Sequence, residues 1–292
     1  LRTPTHSLTT PTGPLRPHIL FRSASPASLP ASSWTQLRAL GITHLFDLRS
    51  APECASDPNP NWIEELEEAG LKRTWTPVFK EEDYSPERLA ERYVKYMSGT
   101  SGFASAYAEF LKNGTAAYKT ILLHLANLED KDAAQGVLIH CTAGKDRTGI
   151  FFGLLFSFLG VSHNAIAEEY QLTELGLRHM QESVVARLLK GAVFQQHLVK
   201  LSDNRLSLAN ITTLLEKHDQ GVHISEADEE VLRRGRQAAL NMIGARKESM
   251  MMALEMLDSE FGGAEGYMRE WCGLGDEDLE ALRRNLIVEE ES

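Results

Sequence analysis

The chain has 292 residues, 42% of them hydrophobic, and a formal net charge of −11. That apolar content suits one large domain with a buried core, and the acidic balance excludes a nucleic-acid partner or a generally basic membrane-binding face. Three widely spaced cysteines, Cys54, Cys141 and Cys272, exclude a disulfide framework and a Cys-x2-Cys metal site.

So sparse a set points to a reducing, cytoplasmic compartment. No stretch approaches the roughly 18 apolar residues of a transmembrane helix. The chain begins with Leu1 rather than Met, which leaves a removed leader, and with it secretion, open.

Residues 1–17 carry Pro4, Pro11, Pro14 and Pro17 and read as an extended arm. Pro17 to Arg22 reads as a strand. A helix over Ser33 to Leu40 ends at Gly41, a suitable C-cap. Ile42 to Leu48 is a strand with Arg49 at its polar end, Pro58 to Ala69 is helical, and Leu71 to Phe79 is a third strand. Pro86 suits the first turn of a helix, and helices fill about 101–128. Val137 to His140 is a buried strand, and an apolar helix follows from Gly149 to Leu159. From Ala165 onward the pattern is almost wholly helical. Strands alternating with helices predict an α/β fold with a central, mostly parallel sheet and an additional helical C-terminal part. The expected organisation is one domain over 1–292, with a helical insertion or lid at 180–247 and helices packing on the core at 248–288.

The chemistry concentrates in His140-Cys141-Thr142-Ala143-Gly144-Lys145-Asp146-Arg147-Thr148-Gly149. Strand, tight loop and helix in that order aim backbone N–H groups and the positive end of a helix at one point, where an anion belongs. That field favours the thiolate of Cys141, the form that attacks phosphorus. Arg147 offers a planar fork matching two phosphate oxygens. Gly144 lets the backbone turn tightly. Thr142, Ala143, Gly144, Lys145 and Thr148 line the substrate side: Thr148 toward the sulfur, Lys145 as a second cation. Asp146 is placed to protonate the leaving oxygen and then to activate water. The loop supplies the charge stabilisation itself, so no metal and no cofactor is expected. A nucleotide P-loop is excluded, because Gly144-Lys145 is followed by Asp146 and the position five before Gly144 is Ile139.

This loop resembles the signature of the cysteine-dependent phosphatases. With Lys and Asp before the Arg, and Thr-Gly after it, it is similar to the bacterial and fungal tyrosine phosphatases that also hydrolyse phosphoinositides. Leu20-Phe21-Arg22-Ser23 is similar to that group's N-terminal strand ending in Arg-Ser. Leu40 to Ser50, with its Asp47-Leu48-Arg49 end, is similar to its second signature. Phe261-Gly262-Gly263-Ala264-Glu265-Gly266-Tyr267-Met268-Arg269 is similar to its Gly-rich turn and Tyr-containing helix. The resemblance runs from about Leu15 to Leu286. It implies the cysteine-dependent phosphatase fold, with a helical lid in the region of residues 180–247.

The expected function is hydrolysis of phosphate monoesters through a cysteinyl-phosphate, on phosphotyrosine proteins, with inositol phospholipids as a further substrate class. Two alternatives stay open: an inositol polyphosphate or pyrophosphate phosphatase, and a non-catalytic phosphate-binding module. Asp146 is the expected acid and Asp83, past Trp75 and Pro77, the reserve. Arg22, Asp47, Arg49 and His140 are expected to support the loop, Asp47 by holding either an arginine or the loop in place and His140 by ordering the backbone beside the nucleophile.

Overall fold

The computed structural model describes residues 8–80, 86–97, 99–128 and 135–288. Strands β1 (Thr9–Thr10) and β2 (Gly13–Pro14) form a small antiparallel hairpin. Strands β3 (Leu20–Ser23), β4 (Ile42–Asp47), β5 (Lys72–Trp75) and β6 (Gly136–His140) form a parallel sheet in the order β3-β6-β4-β5. The apolar run of β6 lies between β3 and β4, and all five of its residues are buried. Its side chains alternate between faces, as a strand requires. Val137 and Ile139 join the larger apolar cluster, and Leu138 joins the smaller one with Phe21, Ile42 and Leu45.

Helices cover both faces. Trp34 and Leu37 of α1 (Ser32–Ala39) and Trp62 and Leu66 of α3 (Trp62–Glu68) close the smaller cluster; α2 (Ala51–Ala55) is a single short helix between them. The larger cluster collects α5 (Thr100–Asn113), α6 (Thr115–Ala126), α7 (Asp146–Phe158) and α8 (His163–Gln171), while α4 (Pro86–Met97) packs on α5. It also takes in α14 (Lys247–Phe261), α15 (Gly263–Gly266) and α16 (Asp276–Leu286). Between them lie α9 (Thr173–Leu177), α10 (Gln181–Lys190), α11 (Ala192–Leu201), α12 (Leu208–Asp219) and α13 (Glu226–Ile243). Apolar residues of α10 to α13 form two clusters of their own, one around Leu198, Ile211 and Leu232 and one around Val185, Phe194 and Ala239. Ser162, Ser207 and Ser225 cap α8, α12 and α13, each hydroxyl accepting a backbone N–H three residues on.

The α/β class and the parallel sheet match the sequence reading. The details differ where backbone chemistry intervenes. The third strand stops at Trp75: Thr76 N donates to the Asp47 carbonyl and Val78 N to the Leu48 carbonyl, but Pro77 between them has no N–H. The helical stretch near 101–128 divides at Gly114, where a Cβ would lie 2.8 Å from the Tyr118 ring. Residues 8–17, which include β1 and β2, are tied to the body. Arg16 N donates to Leu286 O at 2.7 Å and Val288 N to Pro14 O at 2.9 Å, which joins the two ends of the described chain.

The sheet also buries imidazole. His44 on β4 bonds Thr74 Oγ1 through Nε2 at 2.7 Å and stacks on Phe46 and against His124, both at 4.6 Å. Burial, with help from His124 and Lys72, pushes His44 down to about 4. Burial lowers His124 as well, and in His140 it outweighs the attraction of Asp47, leaving that group at about 4. The unfolded chain holds these rings at about 6.5. Their stabilising contribution is therefore complete above about pH 6.5 and is lost as pH falls toward 4. The urea midpoint should fall steadily from pH 7 to pH 4.5, and less steeply in His44→Gln. An unchanged slope in that variant would remove His44 from the groups responsible.

Candidate active site

Cys141 to Lys145 join the C-terminal end of β6 to the N-terminus of α7. No side chain caps α7, so the N–H groups of its first turn have no intrahelical acceptor and face the loop. Cys141 is 2% exposed. Gly144 turns with φ +64°, and a Cβ there would lie 2.3 Å from the Ser23 carbonyl oxygen. Only glycine allows that approach. Arg22, at the end of β3, fastens the turn: Nη2 donates to Gly144 O at 2.7 Å and Nη1 to Glu169 Oε2 at 2.9 Å, with both side chains buried. Thr148 is fully buried, and its hydroxyl has no hydrogen-bond partner among the described residues.

Arg147 already holds a carboxylate. Its Nη1 and Nη2 donate to the two oxygens of Glu53, each at 2.6 Å. Thr142 Oγ1 donates to the same carboxylate. Ser50 donates to it through its backbone N at 3.0 Å and its hydroxyl at 2.9 Å. Burial pushes the Glu53 carboxyl up, but the Arg147 fork outweighs it and holds the group well below the usual carboxylate range. The planar, two-pronged match is the one Arg147 would offer two phosphoryl oxygens.

Lys145 turns away from the solvent. It is 3% exposed, and its Nζ donates to Met242 O at 2.6 Å and Gly244 O at 3.2 Å, at the C-terminal end of α13. The ammonium also sits 4.9 Å from the Phe103 ring centre. Asp146 begins α7. Its Oδ1 accepts from the Tyr107 hydroxyl at 3.0 Å and lies 3.3 Å from Lys145 Nζ. The reserve acid, Asp83, lies outside the described residues.

Beneath the loop is a buried ionic layer. Asp47 accepts from the backbone N, Nε and Nη2 of Arg49 and from Nε and Nη2 of Arg73. Burial works against its charge, but His140 and the two arginines hold its carboxyl well below the usual range. Arg49 is directed at Asp47 and Asp57, away from the loop turn. His140 Nδ1 lies 3.3 Å from the Cys141 carbonyl oxygen; its Nε2, 3.8 Å from Asp47, has no hydrogen bond among the described residues. Leu48 N donates to His140 O at 3.0 Å, tying β4 to the foot of the loop.

A model of the tyrosine phosphatase family matches residues 6–288. The chain belongs to that family. It is 24% identical over 287 residues to the triple specificity protein phosphatase PtpB of Mycobacterium tuberculosis, covering 94% of this chain and 92% of that one. It is 25% identical over 272 residues to a tyrosine-protein phosphatase of Nostoc commune, covering 91% and 73% respectively.

The structure adds residues to this phosphatase loop that the sequence reading did not single out: Glu53, Glu169, Tyr107 and Tyr170. Glu53 left one trace, since Ser50-x-x-Glu53 after a strand end is a helix-start pattern. That pattern reads as a cap and says nothing of Arg147. In Glu53→Gln the loss of the charge-assisted pair should lower the melting temperature by a few degrees, on the order of 1–2 kcal/mol. The stabilisation by added inorganic phosphate should grow, because a neutral amide neither competes for Arg147 nor repels the dianion. A smaller phosphate response would mean that Glu53 holds Arg147 in its phosphate-binding pose.

Proposed function

We propose that this chain hydrolyses phosphotyrosine in proteins through a cysteinyl-phosphate, and that phosphoinositides are a second substrate class. Cys141 Sγ attacks phosphorus, and the bond to the tyrosyl oxygen breaks. Asp146 gives that oxygen its proton. A water then attacks the cysteinyl-phosphate, Asp146 takes the water's proton, and phosphate leaves with the thiolate restored. The Arg147 fork and the N–H groups of the loop and first turn of α7 carry the charge on the phosphoryl oxygens. The Thr148 hydroxyl, without a partner among the described residues, is a donor suited to the sulfur as it leaves. The observation that carries this reading is the Arg147 fork, which grips the Glu53 carboxylate beside a glycine-turned loop on an uncapped helix.

The phosphoinositide part rests on Lys145. A second cation in the loop favours a polyanionic head group, and the mycobacterial relative is named for triple specificity. Here Lys145 is bonded to carbonyls at the end of α13. A head group reaching it must displace those carbonyls, so residues 180–247 act as a lid that binds Lys145 when closed.

Turnover of an aryl phosphate should persist in a chelator, and Cys141→Ser should lower it by on the order of 10⁴-fold or more. Intact-mass spectrometry of wild type quenched in acid should show one added phosphoryl group, absent from the serine variant. Substantial activity in Cys141→Ser would overturn the covalent route. Lys145→Ala should cost more on a multiply phosphorylated phosphoinositide than on a phosphotyrosine peptide, the gap narrowing with salt. Equal losses on both at low salt would assign Lys145 to the loop and lid alone.

A further inference from the structure

Asp146 is held by a pair of buried phenols that the scheme above leaves without a task. Tyr107 on α5 is 0% exposed and Tyr170 on α8 is 1% exposed. The Tyr107 hydroxyl donates to Asp146 Oδ1 at 3.0 Å, and the two phenolic oxygens are 2.6 Å apart. A phenol has one proton to donate. Tyr107 gives its hydrogen bond to the carboxylate, so the bond between the phenols must be donated by Tyr170. The chain of bonds therefore has a direction, from Tyr170 to Tyr107 to Oδ1. Burial pushes both phenols well above their usual range, which keeps them neutral donors and excludes them as acids in their own right.

The surroundings fix this pair in place. The Tyr107 ring packs against Phe103 and Phe110 of its own helix, with centroids at 6.1 and 5.6 Å. It meets the Tyr170 ring edge to face at 84°. Gly149 makes room for the second ring, since a Cβ there would lie 2.8 Å from Tyr170 Cε2. Lys145 Nζ approaches the same Asp146 oxygen, at 3.3 Å. Among the described residues the donors converge on Oδ1, and Oδ2 is the oxygen left to carry the transferable proton.

We infer that Tyr107, backed by Tyr170, is a positioning residue for proton transfer: it sets the rotation of the Asp146 carboxyl so that Oδ2 is presented to the leaving oxygen. The inference rests on Asp146 being the general acid. The proton moves from Oδ2 to the leaving oxygen, and neither phenol loses its own. An oxygen that leaves readily as an anion gains little from the acid; one of high basicity depends on it. The role of Tyr107 is thus visible in the dependence of rate on the leaving group.

The test is kcat/KM across aryl and alkyl phosphates for wild type, Tyr107→Phe, Asp146→Asn and the double variant, with the affinity for inorganic phosphate as a check on the loop. Tyr107→Phe should lose about tenfold on phenyl and alkyl phosphates and less than about twofold on p-nitrophenyl phosphate, with phosphate affinity unchanged. Asp146→Asn should show the same pattern more strongly, and adding Tyr107→Phe to it should cost less than about twofold further. Tyr170→Phe keeps the bond to Asp146 but removes its donor; it should show the same selectivity at smaller size, and it serves if Tyr107→Phe disturbs the packing. Selective losses in Asp146→Asn with uniform losses in both tyrosine variants would overturn the positioning role and leave the acid in place. Uniform losses in Asp146→Asn would overturn the acid assignment and this inference with it.

Discussion

A concentration of positive potential at the junction of β6 and α7 governs how the rest of this site is built. The N-terminus of α7, which no side chain caps, Lys145 and Arg147 lie within one turn of chain. Such a field suits a phosphoryl group, and without one it needs compensation. The chain, acidic as a whole, supplies a carboxylate for each arginine: Glu53 for Arg147, Glu169 for Arg22, Asp47 for Arg49 and Arg73. Removing one partner of the buried Arg22–Glu169 or Arg49–Asp47 pair costs about 3–5 kcal/mol, because the other is left uncompensated; the more exposed Glu53–Arg147 pair is worth less. The layer beneath the loop is therefore held together by charge pairing as well as by packing.

The two ends of the signature have different tasks. Its first half is shaped by close approach of backbone: Gly144 against Ser23, and Leu48 N on the His140 carbonyl. Its second half is anchored by helices that arrive from elsewhere. Tyr118 donates to Arg147 O, Tyr107 to Asp146, and the end of α13 accepts from Lys145. Lys145 is the member of the loop that bonds the end of α13. A shift of α13 would change which acceptors Lys145 has, and with them the neighbourhood of Asp146 Oδ1, which lies 3.3 Å away.

The sequence by itself determined the fold class and the loop. An uninterrupted apolar run reads as a strand buried on both faces, and β6 is that strand, because period-two alternation has to meet apolar residues on either side. The residues from His140 to Gly149 were legible as a strand–loop–helix junction, because they are contiguous in the chain. Arg22, Asp47 and Arg49 were legible as strand-end residues, since sites in parallel sheets lie beyond the carboxyl ends of the strands. Their partners were not, so the sequence could not say that Arg22 grips the loop while Arg49 is spent on Asp47 and Asp57.

Only the tertiary structure decided what surrounds the loop. Glu53 meets Arg147 across 94 residues of chain, and Tyr170 meets Tyr107 across 63. In the sequence Tyr107 is one more aromatic on the apolar face of a helix, and nothing in periodicity separates a core phenol from one aimed at a carboxylate. Lys145 looked like an open cation and is bonded to the end of a helix whose carbonyls come from about a hundred residues downstream. The physical reason is the same in each case. A motif specifies the charges that a short loop must present, but the groups that balance and orient those charges are chosen by whichever elements the hydrophobic core brings alongside.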